Sequence, residues 1–336
     1  LHLSVHSFPT RRSSDLSQFV KRRLGQEFLD YAINPFVAGV YAGSPDHLSV
    51  KHAFPRLYEV EQKYGSLIWG QIRGARERKK REDVPKTESK LFSFKEGEGA
   101  LTRQLANLLK EELHLDTRVH TISEEKDGWR VFTGGNEPQN SRAFDRVVLT
   151  IPVHQLNEIT FNTRESFPVA QLERIWYPPV AVLFLGFREE DVAHPLDGFG
   201  MLVPEVEPFK ILGTLFSSTL FPGRAPEGHV GLTTFVGGSR YPHLAEQPEE
   251  QIYETVMRDL EQLLGIKGKE VFRKLVAWPK AIPQYDLEYG AAKQLMDELE
   301  SRHPGFYFAG NYRGGISVSD CISSAMELAE RIEKEN

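Results

Sequence analysis

The chain has 336 residues, enough for one large domain or two ordinary ones. Hydrophobic residues make up 40% of it and charged residues 26%, a globular composition that excludes disorder over the whole length. The net charge of −6 and the isoelectric point of about 6.0 argue against a general nucleic-acid-binding protein, for which a basic surface is usual.

The single cysteine, Cys321, excludes an intrachain disulfide and a cysteine-rich metal site. The longest apolar run, over 180–187, has about eight residues, whereas a membrane-spanning helix needs about 20. No membrane-spanning helix is therefore predicted, and peripheral membrane contact stays open.

Residues 1–16 (LHLSVHSFPTRRSSDL) fit no targeting pattern. We interpret them as a leader or foreign segment, with the folded chain starting near Ser17. Because the sequence does not begin with methionine, it is also interpreted as a fragment.

Helical spacing of apolar residues predicts helices over most of 17–70. Asn34-Pro35 is expected to break the first helix, and a turn is expected in YAGSPDHLS, residues 41–49. Residues 71–90 are highly charged and favour a solvated loop. The alternative is contact between the basic run Arg73–Arg81 and anionic lipid headgroups.

Strands dominate the middle of the chain, according to its pattern of apolar runs and turn residues. A helix over 99–113 precedes short strands within 117–123, 128–134 and 145–152. Longer apolar strands follow within 180–187, 198–204, 210–218 and 229–238. A helix is predicted over 249–264.

The C-terminal segment predicts a buried strand (304–310), a glycine-rich loop (311–317) and a helix capped by Ser317 or Ser319. The apolar residues expected on one face of that helix are Ile322, Ala325, Met326, Ala329 and Ile332. Strand, glycine-rich turn and helix together direct backbone N–H groups toward one point, which suits a phosphate, a carboxylate or a reduced flavin ring. Close packing where the strand joins the helix is the alternative interpretation of this pattern.

Several catalytic patterns are absent from the sequence: HExxH, GxSxG, the phosphate-binding GxxxxGK[ST] and the dinucleotide fingerprint GxGxxG. Asp320 is interpreted as an acid that stabilises the first turn of a helix rather than a catalytic group. Cys321 is interpreted as a small buried residue rather than a nucleophile. Arg240 could pair a carboxylate, but an ordinary surface arginine is favoured.

Four stretches, 22–70, 92–109, 281–290 and 306–332, resemble the flavin-dependent protoporphyrinogen oxidases, within the monoamine-oxidase-like flavoproteins. The resemblance implies an α+β or α/β fold. Its parts would be a partial FAD-binding domain of the Rossmann-like, glutathione-reductase type, a mixed-sheet substrate domain and a helical membrane-associated subdomain. The implied boundaries are 17–90 for the helical region, 91–150 with 291–336 for FAD binding, and 151–290 for the substrate. The family's N-terminal GxGxxG stretch has no counterpart here, so the chain is expected to be N-terminally truncated.

The same resemblance implies roles for particular residues. Those implied to contact substrate are Gly43, Phe199, Gly200, Leu202, Leu215 and Phe235, with Leu202 and Phe235 on opposite sides of a porphyrinogen ring. Those implied to contact non-covalent FAD are Val119, Ile316, Ser317 and Val318. No protein group is implied as catalytic and no metal is expected, since the flavin carries the chemistry.

The implied reaction is oxidation of protoporphyrinogen IX to protoporphyrin IX, with oxygen as the final acceptor and hydrogen peroxide as a product. Coproporphyrinogen III is the alternative substrate, and an amine oxidase or carotenoid desaturase is a more distant alternative. The non-enzymatic alternatives are an inactive, flavin-less fragment and a porphyrin-binding module without redox activity. The family also implies a homodimer and a cytoplasmic location, with peripheral contact to the cytoplasmic membrane.

Overall fold

Three sheets and the helices around them form the part of the chain that the computed structural model describes, residues 15–65, 93–134 and 140–335. Helix α1 (Leu16–Leu24) begins after Asp15, whose carboxylate accepts a hydrogen bond of 2.7 Å from the Gln18 amide. Leu16 is only 1% exposed, and its amide donates to the Leu48 carbonyl. Asp15 and Leu16 therefore belong to the fold, and the predicted start near Ser17 is too late.

The helical path continues through Asn34-Pro35, so the predicted break there is wrong. A short helix α2 (Gln26–Phe28) leads into one wide π-helical turn (Leu29–Ile33) and then into α3 (Asn34–Tyr41). Pro35 lies in the first turn of α3, where a backbone donor is not needed, and the wide turn before it absorbs the change of register. The chain leaves α3 at Ala42, which has a left-handed φ of 49°.

Two helices follow the predicted turn: α4 (Val50–Ala53) and α5 (Pro55–Tyr64). Helix α6 (Gly99–Leu108) ends earlier than the predicted 113. The charged segment 71–90, with its basic run, lies outside the described residues. Within the described ranges, no helix combines the length and the apolar character needed to cross a membrane.

A four-stranded sheet has the order β3-β2-β1-β5. Its strands are β1 (Thr121–Glu125), β2 (Gly128–Phe132), β3 (Ser141–Phe144) and β5 (Thr160–Asn162). Strand β1 starts later than predicted and β3 was not predicted. A parallel pair joins β4 (Val147–Leu149) to β11 (Phe306–Phe308), so the C-terminal segment packs beside residues 147–149. The predicted burial of this late strand is confirmed, since all three of its residues are buried.

The largest sheet is antiparallel and has the order β10-β6-β9-β8-β7. Its strands are β6 (Val180–Arg188), β7 (Gly200–Leu202), β8 (Ile211–Leu215), β9 (His229–Gly237) and β10 (Phe272–Trp278). Between them lie the short helices α7 (Ser217–Leu220) and α8 (Pro242–Ala245) and the long helix α9 (Glu249–Leu264). Apolar residues of α9 bury one face of this sheet, and the other face turns toward α3.

The last two helices are α10 (Tyr289–Arg302) and α11 (Val318–Lys334). The predicted apolar face of α11 forms, but none of the residues of this helix is buried. Ile322 is 48% exposed and Met326 is 63% exposed. The described residues therefore leave this face uncovered.

Asp259 joins α9 to the start of β8, and substitution of its side chain tests that packing. The residue is 4% exposed, and Oδ2 accepts hydrogen bonds from the amides of Lys210 (2.5 Å) and Ile211 (2.9 Å). Asp259→Ala leaves the buried Ile211 amide and the less buried Lys210 amide without this acceptor, so we expect the free energy of unfolding to fall by about 2 kcal/mol. Asp259→Asn keeps an acceptor oxygen and should lose clearly less. Urea unfolding measures both values, and equal losses would contradict the assignment.

Candidate functional site

An apolar cavity of about 320 Å³ lies between α3 and the free face of the five-stranded sheet. No charged side chain is among the described residues that line it. The lining residues are Ala38, Gly39, Ala42, Val180, Val182, Leu212, Phe235, Trp278, Ala281 and Ile282. Such a lining suits a large, flat, weakly polar molecule.

One row of paired residues crosses the sheet at this cavity. Leu202 pairs with Gly213, and Gly213 pairs with Phe235. Directly paired residues in an antiparallel sheet point to the same face, so Leu202 and Phe235 stand on either side of a glycine. Their backbones are two strand spacings apart, about 10 Å. A side chain on Gly213 would fill this gap, and its Cβ would lie 2.6 Å from the Met201 carbonyl oxygen.

The other residues implied to contact substrate lie outside this row. Leu215 lies two residues beyond Gly213 on β8 and pairs with Gly200. Phe199, immediately before β7, is largely exposed. Gly43 is buried just after α3 and does not line the apolar cavity.

Gly39 lines the apolar cavity and was missed by the sequence analysis. A Cβ at this position would lie 2.3 Å from Cδ2 of Leu202, so the absence of a side chain lets α3 approach β7. The signal was present in the sequence: Ala38, Gly39 and Ala42 are small residues at helical spacing on one face of α3.

A second, polar cavity of about 560 Å³ lies on the other side of the α3 end. The glycine-rich loop contributes Gly314, Gly315 and Ile316 to its wall, and α3 contributes Tyr41. Its basic residues are Lys51, His52, Arg56, Lys293 and Arg313. Burial, helped by the nearby positive charges of Lys51 and Lys293, lowers the pKa of His52.

Two buried tyrosines hold the glycine-rich loop in place. The Tyr285 hydroxyl donates to the Asn311 carbonyl (2.6 Å) and accepts from the Gly315 amide (2.9 Å). The Tyr289 hydroxyl donates to the Tyr312 carbonyl (2.8 Å), and the rings of Tyr285 and Tyr289 stack 4.2 Å apart. Burial raises the pKa of Tyr289 to about 12 and raises that of Tyr285 as well, so both hydroxyls remain protonated donors.

The residues implied to hold the flavin ring lie where the loop meets α11. Ile316 lines the polar cavity, and Ser317 caps the helix: its hydroxyl accepts from the Asp320 amide, and the Asp320 carboxylate accepts from the Ser317 amide. The interpretation of Asp320 as a first-turn acid is confirmed. Val318 follows on the exposed side. Val119, just before β1, packs against the main core and lines neither cavity.

Cys321 is half-buried near this loop, with Sγ 3.8 Å from the Gly315 carbonyl oxygen. Burial, followed by the Asp320 charge, raises the pKa of its thiol. A raised pKa disfavours the thiolate, which agrees with a packing role rather than a nucleophilic one.

The two cavities share one wall. Tyr41 lines the polar cavity and the next residue, Ala42, lines the apolar cavity. The left-handed turn at the end of α3 therefore stands between a loop suited to an anionic ring and a surface suited to an apolar ligand.

Arg240 connects α3 to the β7–β8 connection, and its interpretation as an ordinary surface group is wrong. Its guanidinium is buried and donates to the Val203 carbonyl (2.8 Å) and to Asn34 Oδ1 (2.7 Å). The Glu205 carboxylate lies 3.9 Å away. Burial lowers the pKa of Arg240, opposed by the charge of Glu205.

The polar cavity fits part of a flavin nucleotide. A Cβ on Gly315 would lie 2.6 Å from the Asp320 side chain, and one on Gly314 would lie 2.8 Å from Ser324. The loop backbone thus lies directly against the first turn of α11, where amide groups and the helix dipole favour negative charge. The basic residues suit phosphate oxygens. Among the described residues, no group of three or more His, Cys, Asp or Glu side chains could hold a metal.

The family model described as flavin containing amine oxidoreductase matches residues 8–333 of this chain. Protoporphyrinogen oxidase 2 of Arabidopsis thaliana is 38% identical in an alignment that covers 94% of this chain and 66% of the relative. Coproporphyrinogen III oxidase of Bacillus subtilis is 26% identical, over 93% of this chain and 66% of the relative. The chain thus spans about two thirds of the length of these relatives.

Solved structures share the fold of this chain. A protein of Exiguobacterium sp. 255-15, provisionally assigned as a protoporphyrinogen oxidase, is 26% identical and superposes with a TM-score of 0.76 over 98% of this chain and 70% of its own. Cyclohexylamine oxidase of Brevibacterium oxydans has a TM-score of 0.60 over 96% of this chain and 68% of its own. At 15% identity the latter shows the fold alone.

Tyr285→Phe tests whether the tyrosine anchors prepare the loop for flavin. The variant removes one donor and one acceptor from the loop, so we expect FAD affinity to fall about tenfold, about 1.4 kcal/mol. The decrease should be constant between about pH 6 and 9, because the tyrosine hydroxyl stays protonated there.

Tyr307→Phe is the matched control, since its hydroxyl bonds to Glu335 near the C-terminal end of α11. Flavin absorbance after removal of unbound FAD, and quenching of flavin fluorescence, measure the affinity. Equal effects of the two variants would contradict the role of Tyr285. A colourless wild-type protein would contradict the flavin site itself and favour the inactive-fragment alternative.

Proposed function

The chain belongs to the flavin-containing amine oxidoreductase family, and we propose that it oxidises a porphyrinogen to a porphyrin, with protoporphyrinogen IX preferred. The observation that supports the proposal is the uncharged apolar cavity, which only the turn at Tyr41 and Ala42 separates from the polar cavity lined by the glycine-rich loop. FAD is the cofactor of the proposed reaction and oxygen its final electron acceptor.

The sheet face provides the binding surface in this proposal. Phe235 and Leu202 border the gap over Gly213, and Val182 continues the apolar row beyond Phe235. These side chains would contact the faces of the macrocycle and exclude water from it. The proposal also includes contacts with the substrate by Gly43, Phe199, Gly200 and Leu215.

The loop provides the cofactor surface. When bound, FAD would accept hydride from the porphyrinogen in three two-electron steps and be reoxidised by oxygen to give hydrogen peroxide. Ile316, Ser317 and Val318 would hold the ring, and the helix N-terminus would stabilise negative charge on it. Val119 is proposed to contact the adenosine end.

The choice between the two porphyrinogens follows from charge. Coproporphyrinogen III carries more propionates than protoporphyrinogen IX, and each charged group that enters an apolar site requires a partner. The residues that line the apolar cavity offer none. This favours the less charged substrate.

Membrane contact, dimerisation and a cytoplasmic location are further parts of the proposal, supported by the sequence alone. The basic run Arg73–Arg81 is proposed to bind anionic headgroups. Sedimentation with anionic vesicles should therefore deplete the protein from solution at low salt and release it at high salt, because this attraction is screened. Binding to uncharged vesicles alone, or no binding at low salt, would contradict membrane contact through this run.

Oxidation rates on the two porphyrinogens test the substrate. We expect kcat/KM to be higher for protoporphyrinogen IX, with oxygen consumed and hydrogen peroxide formed. Phe235→Ala removes one aromatic wall of the cavity, so we expect KM to rise about tenfold. Phe144→Ala, at an exposed position on β3, is the control and should leave KM unchanged. Preference for coproporphyrinogen III, or oxidation of an amine alone, would contradict the substrate assignment.

A further inference from the structure

We propose that Gln284 is a positioning residue: it holds the turn Tyr41–Gly43 in position between the polar cavity and the apolar cavity. The expected effect of Gln284 on kcat rests on the proposed function, whereas its effect on the turn does not. Gln284 itself lines neither cavity.

The amide group of Gln284 links the walls of the site. The residue is 3% exposed, and Nε2 donates to the Tyr41 carbonyl (2.8 Å) and to the Ile282 carbonyl (3.1 Å). Its backbone amide donates to the Trp176 carbonyl (2.8 Å). A single side chain therefore joins the end of α3 to the segment that follows β10.

The residues next to this amide group line the two cavities. Tyr41 lines the polar cavity, while Ala42 and Ile282 line the apolar one. A displacement of the Tyr41 carbonyl moves both Tyr41 and Ala42, so it changes the two cavities together. Gln284 acts on bound molecules through these residues.

The turn needs such support because its conformation is unfavourable. Ala42 has a left-handed φ of 49°, a backbone conformation that is unfavourable for a residue with a side chain. On one side the Ser239 amide donates to the Ala42 carbonyl (2.7 Å), and on the other Gln284 binds the Tyr41 carbonyl. Loss of Gln284 removes the hydrogen bond that holds the turn from the side of residues 282–284.

Gly43 shows how closely Gln284 lies against the turn. A Cβ on this glycine would lie 2.5 Å from Oε1 of Gln284, so even alanine would displace the amide. The glycine at the end of the turn and the glutamine that holds it therefore form one packing unit.

The first experiment measures the turn directly, without cofactor or substrate. Gln284→Met keeps the approximate size and removes the hydrogen bonds, and Gln284→Glu replaces the donor by an acceptor. In both variants we expect hydrogen–deuterium exchange to accelerate at least tenfold at two amides. They are the Gly43 amide, which ties the turn back to the Val37 carbonyl of α3, and the Ser239 amide, which donates to the Ala42 carbonyl. Helix α9 should exchange as in the wild-type protein.

The matched control is Gln294→Met, the same substitution at an exposed position on α10. It should change exchange at neither amide. Unchanged exchange in the Gln284 variants would overturn the proposal. Equal acceleration throughout the chain, including α9, would also overturn it, because Gln284 would then stabilise the whole fold.

The second experiment measures the consequence in FAD-loaded protein, with rates normalised to bound flavin. We expect Gln284→Met to lower kcat about tenfold and change KM less than about threefold, because a displaced wall misorients bound molecules. Gly43→Ala should do the same, and the double variant should be no worse than either single variant, since both break one contact.

Normal kcat in folded Gln284→Met would overturn the positioning role. A wild-type protein that oxidises no porphyrinogen would instead contradict the proposed function. The exchange measurement would still decide whether Gln284 holds the turn.

Discussion

Two carbonyl groups at the end of α3 carry the hydrogen bonds on which both cavities depend. The Tyr41 carbonyl is bound by Gln284 and the Ala42 carbonyl by the Ser239 amide, so the turn is fixed to the segment after β10 and to the sheet. Because these two residues line different cavities, this one turn separates the apolar cavity from the polar cavity that the glycine-rich loop lines. Gly39, three residues earlier, lets the same helix approach β7 closely enough to close the apolar cavity.

The half of the structure around the glycine-rich loop has less supporting packing than the half around the five-stranded sheet. Its loop is anchored by Tyr285 and Tyr289, yet α11 beyond it has no buried residue. Strands β4 and β11 form only a two-stranded parallel pair in the described part of the chain, whereas parallel sheets usually have both faces covered. The five-stranded sheet, in contrast, is covered by α9 on one face and faces α3 on the other. The apolar cavity therefore rests on the better packed of the two halves.

The local features of the chain could be predicted from its sequence. The strand around 180–187 has a continuous apolar run, and the strand around 229–238 is rich in apolar and β-branched residues. Ser317 with Asp320 has the spacing of a helix cap, and all three features formed as expected. The helix break predicted at Asn34-Pro35 did not form, because a π-helical turn before Pro35 keeps the helical path continuous. Arg240 also could not be predicted: a buried guanidinium needs oxygen acceptors, and these come from Asn34 and Val203, which are distant in the sequence.

By itself the sequence determined the family, the glycine-rich loop before a helix, and the apolar strands that would bind a flat ligand, since these depend on the order and spacing of nearby residues. Only the tertiary structure decided that Leu202 and Phe235 stand on either side of Gly213, because strand register sets which residues face each other. It also decided that Gly39 lines the cavity and that Gln284 reaches the Tyr41 carbonyl, 243 residues away in the chain. Contacts of this range depend on how α3, the sheet and the C-terminal loop pack together, and no local pattern records that packing.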